Sequence, residues 1–255
     1  MFTEERQQKI LESLRESGKV RVRDLSERFG VTDDCIRKDL KTLENAGSLK
    51  RIYGGALLSR DYTLNREVVQ RRTVHTEEKK IIAAKAASLI RPGETLFLDV
   101  STTNVLIAQN LAASGIKVRV VTNMIDILEE LVKSPSITPI ATGGRMHTSV
   151  NGFIGIEAAA AIRSYSFDQG FFGCCGIDAT DSDYSLTTLG AEDGLTKRAA
   201  LKASRHKYVL MEHQKFDSNE CYKYAKLDDI DAVITDEEPN PEIRELIESV
   251  GVDII

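Results

Sequence analysis

Apolar residues in the first sixty positions keep a helical period, lose it, resume it twice, and end by alternating. Ile10, Leu11 and Leu14 put one apolar stripe on a segment spanning roughly 4–16, which stops at Gly18. Val20 and Val22 alternate with Lys19, Arg21 and Arg23, as in a short strand. Leu25 and Phe29 then give a second short helix over 23–29, and Gly30-Val31 leaves only a tight connection before the next. That third helix opens at Thr32, a residue suited to N-capping, with Asp33 and Asp34 in the first turn where the dipole favours negative charge. Ile36, Leu40 and Leu43 stack on its inner face at i, i+4 and i+7, and Arg37, Lys38 and Lys41 fall on the outer one. Two strand-like runs, 49–53 and 56–58, flank Gly54-Gly55, and the hairpin turn between them calls for positive φ angles that glycine adopts cheaply. This order predicts a winged helix-turn-helix over 1–58, with the helix-turn-helix at about 20–46 and the wing at about 48–58.

From residue 76 onward the pattern changes to short buried-strand runs alternating with helical ones. Strands are expected at 95–98, 118–121, 170–172, 208–211 and 232–235, and helices at 79–90, 104–113, 124–132, 192–204 and 241–250. Alternation of this kind predicts a mainly parallel sheet covered on both faces, an α/β domain over 76–255 that binds ligands beyond the carboxyl ends of its strands. A polar stretch at 59–75 reads as a linker; its Arg60, Arg66, Arg71 and Arg72 suit either DNA contact or a solvated helix face.

The loops expected after those strands carry the candidate chemistry. Asp99-Val100-Ser101-Thr102-Thr103 ends a strand and opens a helix, where hydroxyls and free N–H groups suit phosphate, although Ser and Thr cap helices everywhere. Thr122-Asn123, Thr142-Gly143-Gly144 and the loop from Gly173 through Gly176 to Asp178 take further post-strand positions. Glu192 and Lys197 frame the start of a later helix, and Lys215 follows the strand ending at Met211; either lysine suits a phosphate or open solvent.

Charge divides along the same boundary. Residues 1–60 hold 13 basic and 10 acidic side chains, a balance of +3, and the rest of the chain holds 21 and 29, a balance of −8. A mildly basic head on an acidic body confines nucleic-acid contact to the head and excludes a protein that coats DNA along its whole surface. No apolar run is long enough to span a membrane and no apolar signal segment opens the chain, so a cytosolic protein is expected. Cys35, Cys174, Cys175 and Cys221 form no Cys-x-x-Cys pair, and His75, His147, His206 and His213 show no metal spacing along the chain, so neither metal nor cofactor is expected.

Thr32-x-x-Cys35-Ile36-Arg37-Lys38-Asp39-Leu40 followed by Arg51-Ile52-Tyr53-Gly54-Gly55 resembles the head of the DeoR family of bacterial transcriptional regulators. Three positions depart from the family habit. Thr32 keeps a capping hydroxyl, Cys35 loses one, and Lys38 keeps charge without the two-pronged reach of arginine. The body resembles the family's sensor domain, with its phosphosugar-isomerase-like fold, at Asp99, Thr102, Thr103, Thr122, Asn123, Gly143, Gly144, Gly176, Ile177, Asp178, Glu192, Lys197, Arg198, Lys215, Phe216, Thr235 and Asp236. Ser101 stands where glycine is usual and His147 where arginine is common.

The resemblance implies a repressor of a carbohydrate-metabolism operon, not an enzyme, that binds double-stranded operator DNA and answers to a phosphorylated sugar or related metabolite. DNA contact is expected from Thr32, Cys35, Arg37, Lys38, Lys41 and the wing at Lys50, Arg51, Gly54 and Gly55, and a homodimer or tetramer from the small size of one head. Two rival readings are a sugar-phosphate isomerase-like enzyme using Asp99, Asp178 or Glu192 as base, and an architectural DNA-binding protein with a disused sensor.

Overall fold

A computed structural model describes residues 3–17, 19–45, 48–52, 54–58, 71–178, 184–216, 218 and 220–255. The chain forms two compact units, Met1–Arg66 and Glu67–Ile255. Residues 59–70, where most of the expected linker falls, lie outside the described residues.

In the first unit α1 (Thr3–Ser17) leads into β1 (Lys19–Arg21), α2 (Val22–Phe29), α3 (Asp33–Asn45), β2 (Leu49–Ile52) and β3 (Gly55–Leu58). The sheet runs β1-β3-β2, antiparallel throughout. Ile10, Leu14, Val22, Leu25, Ile36, Leu40, Leu43 and Leu49 meet in one small core, so the apolar stripes of all three helices are spent on each other and on the sheet. Gly30, in the left-handed region at φ 65°, ends α2 and makes the turn of the helix-turn-helix.

The hairpin uses its two glycines differently from the expectation. Gly54 sits at φ 78°, as a tight turn requires. Gly55 does not; it is the first residue of β3, and a Cβ there would lie 2.0 Å from the Val20 carbonyl oxygen. Close approach of β1, not turn geometry, excludes a side chain at that position.

The second unit is built on a seven-stranded parallel sheet in the order β15-β14-β12-β9-β4-β5-β6. Its strands are β4 (Thr95–Leu98), β5 (Val118–Thr122), β6 (Ile137–Ala141), β9 (Phe167–Gly173), β12 (Ser204–Leu210), β14 (Ala232–Ile234) and β15 (Asp253–Ile254). Alternate residues of each strand face opposite layers. Leu96, Leu98, Val120, Phe171, Leu210 and Ile234 pack on α4 (Thr76–Leu89), α5 (Thr102–Ser114) and α6 (Ile125–Leu131). Phe97, Val121, Phe172, Val209 and Val233 pack on α7 (Ile156–Ile162), α8 (Ala191–Ala203) and α9 (Pro241–Ser249). Two smaller pieces were not foreseen: the pair β7 (Met146–His147) and β8 (Gly152–Phe153), and an antiparallel sheet of β10 (Gly176–Asp178), β11 (Ser185–Thr188) and β13 (Tyr222–Lys226). No described helix is long and apolar enough to cross a membrane.

The strand order locates the functional end of this domain. From β4 the chain steps outward through β5 and β6, then returns to the other side of β4 and steps the opposite way through β9, β12, β14 and β15. Direction reverses between β4 and β9, and the loops leaving such a pair diverge to opposite faces and open a crevice. Asp99 and Gly173 are the residues that stand there.

Candidate functional site

In the head, α3 buries Ile36, Leu40 and Leu43 and exposes Cys35, Arg37, Lys38 and Lys41. Thr32 precedes the helix, and its hydroxyl accepts a long hydrogen bond of 3.4 Å from the Cys35 N–H. The first-turn acids do more than meet the dipole: Arg37 lies 2.8 Å from Asp34 and 3.7 Å from Asp33. In the wing, Glu44 accepts from both the backbone N–H and the guanidinium of Arg51, at 2.9 and 2.8 Å, which ties the hairpin to the end of α3. Those two hydrogen bonds hold the Glu44 carboxyl below its ordinary range. The Lys50 side chain lies outside the described residues.

Asp39, which in sequence is only part of a motif, proves structural. It is buried, takes a two-pronged contact from Arg6 of α1 at 2.5 and 3.2 Å, and accepts a third bond from Gln7. A carboxylate that fixes α1 against α3 sets the roll of the helix whose outer face carries the basic residues.

In the sensor domain the crevice between β4 and β9 holds a buried charge cluster. Asp99 is fully buried at the end of β4. Its Oδ2 accepts from the Gly173 N–H at 3.1 Å and pairs with the Lys197 ammonium. Lys197, buried on α8, is also 3.6 Å from Asp193 and 5.7 Å from the Tyr224 ring centre. Asp193 accepts from the Thr188 hydroxyl at 2.5 Å. Burial pushes the Asp99 carboxyl up to about 6 even with Lys197 beside it. Burial also opposes the charge on Lys197, but Asp193 and Asp99 together outweigh it and raise its pKa. At neutral pH both groups of the pair are therefore ionised. Asn104, buried on α5, donates at 2.9 Å to the carbonyls of both Asp99 and Phe171 and clasps the ends of β4 and β9.

Around this cluster stand the other loop residues, several in roles the sequence did not reveal. Ser101 caps α5, accepting from the Thr103 N–H at 3.2 Å, so the side chain in the glycine position turns back on the helix instead of into the crevice. Gly143 and Gly144 both have positive φ, at 66° and 111°, and a Cβ on Gly144 would lie 3.0 Å from the Ala158 backbone nitrogen. Asn123 donates to the Phe153 carbonyl at 3.1 Å.

Glu192 turns away from Lys197 and pairs with Arg145, while Asp193 takes the inner place. Neither Asp193 nor Arg145 was singled out from sequence. The signal for Asp193 was its i, i+4 spacing to Lys197. His147, singled out as a departure, is exposed and 3.0 Å from the Ser149 hydroxyl.

Gly176 and Asp178 are corrected from loop to strand: they form β10, and Asp178 lies 3.0 Å from Lys223 of β13. Their polar pattern pairs across a small sheet, which no local spacing announces. Lys215 is half-buried and paired with Glu212, which also lies 3.8 Å from the buried Lys79. Burial pulls the Lys215 pKa down, and Glu212 with the nearby thiols raises it on balance. Burial pushes the neighbouring Cys175 thiol up to about 12, which leaves it no thiolate character at neutral pH.

Comparison with known proteins follows the same division of the chain. Residues 6–62 match the DeoR-like helix-turn-helix domain, and residues 74–237 match the DeoR C terminal sensor domain. The chain is 32% identical over 238 residues to the glycerol-3-phosphate regulon repressor of Escherichia coli, covering 93% of this chain and 92% of that one. It is 31% identical over 255 residues to the HTH-type transcriptional repressor GlcR of Bacillus subtilis, covering 100% and 96%. It is 30% identical to the lactose phosphotransferase system repressor of Lactococcus lactis, covering 95% and 94%. Against the solved structure of ribose 5-phosphate isomerase A from Methanocaldococcus jannaschii the TM-score is 0.40 at 13% identity, over 55% of this chain and 54% of that one. The chain belongs to the DeoR family of transcriptional regulators, with a DNA-binding head joined to a sensor domain.

Proposed function

We propose that this cytosolic regulator represses a carbohydrate-metabolism operon and is controlled by a phosphorylated sugar bound at the β4–β9 crevice. The observation that carries the effector reading is a set of buried acceptors without a hydrogen-bond partner: Asp99 Oδ1, Asp193 Oδ1 and Asn123 Oδ1. Buried acceptors call for donors, and the hydroxyl groups of a sugar supply several at once. The phosphate takes the first turn of α5 at Thr102 and Thr103, with Lys215 as counter-charge, and the bare backbone at Gly143 and Gly144 leaves room for the sugar. Glu192 and Arg145 stand at the rim.

The head reads DNA with the outer face of α3. Arg37, Lys38 and Lys41, with Thr32 and Cys35 at the helix start, enter the major groove, and Arg51, Gly54 and Gly55 bring the wing to the backbone. One head covers too little DNA for tight specific binding, so a symmetric homo-oligomer reads repeated half-sites. Effector binding shifts the population between arrangements of the heads that fit the operator and arrangements that do not. The isomerase reading asks for a buried carboxylate at the sugar, and Asp99 is one. Against it stand the ion pair that ties Asp99 to Lys197, the pairing of Asp178 and Glu192 with Lys223 and Arg145, and the attached DNA-binding head, which an isomerase does not need.

The test is binding of the intact protein to its own upstream DNA at two salt concentrations, with and without a panel of sugar phosphates. Salt-sensitive, sequence-selective binding that one phosphosugar alters is expected. Selective binding that no phosphosugar changes overturns the effector assignment, and absence of selective binding overturns the regulatory reading of the head.

A further inference from the structure

A second cluster of chemically capable side chains lies two strands away from the crevice and takes no part in it. β12 and β14 are parallel neighbours, with Leu210 opposite Ile234, so the residues following them emerge side by side. His213 and Asp236 meet there. His213 Nδ1 is 2.6 Å from Asp236 Oδ2, and the His213 backbone N–H donates to Asp236 Oδ1 at 2.8 Å. One ligating atom from each of His213, Asp236 and Glu237 lies within 4.8 Å of the others. Outside that group stand Glu78, in the first turn of α4, which accepts from Gln214 at 3.5 Å, and His75 just before the helix, whose Nδ1 lies 3.5 Å from Glu78. His75 itself is held in the left-handed region at φ 52°, a conformation rare for a residue with a side chain.

We propose that His213, Asp236 and Glu237 form a site for a first-row divalent transition metal, with Glu78 and His75 as flanking donors. The donor set carries the choice of ion. Imidazole with carboxylates suits zinc, manganese, iron, cobalt or nickel, whereas calcium prefers a cage of six or more oxygens. Three protein donors on a partly exposed cluster leave a position for water, as in open metal sites. The His213 side chain is 34% exposed and that of Asp236 only 1%, so an ion enters from the imidazole side and meets a carboxylate already fixed in place. At 2.6 Å the imidazole and carboxylate now share a proton. A metal replaces that proton once the two atoms part to about 3.4 Å, the span of two ~2.1 Å bonds at a tetrahedral angle.

Occupancy has a structural consequence in the same domain. Lys79, next to Glu78, donates to the Arg71 and Val74 carbonyls at 2.6 and 2.7 Å. An ion that engages Glu78 therefore pins the start of α4, together with the segment 71–75, against the ends of β12 and β14. The site adjoins the proposed effector crevice through Glu212, which precedes His213 and pairs with Lys215, but its donors are separate and it does not depend on that reading.

Co²⁺ titration of the full chain, followed by visible absorption, and Zn²⁺ calorimetry test the site. The expected result is one ion per chain, a d–d spectrum of nitrogen and oxygen donors without a thiolate charge-transfer band, and affinity lowered at least about tenfold by His213→Gln and by Glu237→Gln. His206→Gln, exposed near the start of β12, should leave binding unchanged. Glu237 is exposed, so its substitution does not threaten folding and reports on the site directly. Zn²⁺ binding weaker than about 1 mM overturns the proposal, as does binding that survives both substitutions, or a thiolate spectrum abolished by Cys221→Ser.

Discussion

Replacing Lys197 by methionine isolates the electrostatics of the crevice, because the side-chain volume stays nearly constant and only the charge leaves. Asp99 is fully buried, and Lys197 is its one ionic partner among the described residues. Removing one member of a buried pair leaves an uncompensated charge and costs about 3–5 kcal/mol. For a domain of this size that is a fall of roughly 6–20 °C in melting temperature. Asp99 relieves part of the cost by taking up a proton.

That uptake sets the sign of the pH dependence. In the native protein the Asp99 carboxyl titrates at about 6, above its unfolded value of 3.8. The folded state therefore binds the extra proton between those values, stability falls as pH rises through them, and the contribution is flat above about 6. Without Lys197 the folded pKa rises further, toward the range of about 7–9 known for fully buried carboxyls. The variant should keep losing about 1.4 kcal/mol per pH unit above pH 6, where the native protein no longer does. Scanning calorimetry of both proteins from pH 5 to 8 reads this as melting curves that diverge with rising pH. Asp99→Asn combined with Lys197→Met should recover part of the loss, since the fully buried charge is gone and only the less buried Asp193 is left without its cation. Parallel curves, or a double variant no better than the single one, would refute the reasoning.

Three further outcomes follow from the head and the loops. Asp39→Asn should destabilise the head by about 3 kcal/mol through the stranded Arg6, and should weaken operator binding more than non-specific DNA binding, compared by titration against specific and scrambled duplexes. Arg37→Ala, Lys38→Ala and Lys41→Ala should each lower the slope of log K against log salt by about 1 where the residue meets a phosphate, and an unchanged slope for all three removes α3 from the interface. Gly144→Ala should cost about 1–3 kcal/mol, because the backbone at φ 111° resists a side chain and the Ala158 nitrogen stands in its way; urea unfolding measures the loss.

Local periodicity was enough to determine much of this protein. The three helices and hairpin of the head follow from stripes such as Ile36, Leu40 and Leu43, since a short helix beside a small core has only one way to bury them. The five strands expected in the body are all present, because runs buried on both faces are apolar at most positions. What escaped was whatever depends on partners distant in the chain. Gly176 to Asp178 reads as a loop until β11 lies beside it, and Gly55 reads as a turn until the Val20 carbonyl fills the space its side chain would need.

The site divides in the same way. Asp99 and the paired glycines stood out in sequence by their places after strands, and Lys197 by its place near the start of a helix, but their partners did not. Strand order alone puts Asp99 beside Gly173 at the reversal between β4 and β9, carries Lys197 of α8 to Asp99, and sets His213 against Asp236 across two parallel strands. Sequence spacing encodes neighbours within a few residues, through the helix and strand repeats. Contacts between strand ends many residues apart are decided by the packing of the whole sheet, and there the chemistry of this protein is assembled.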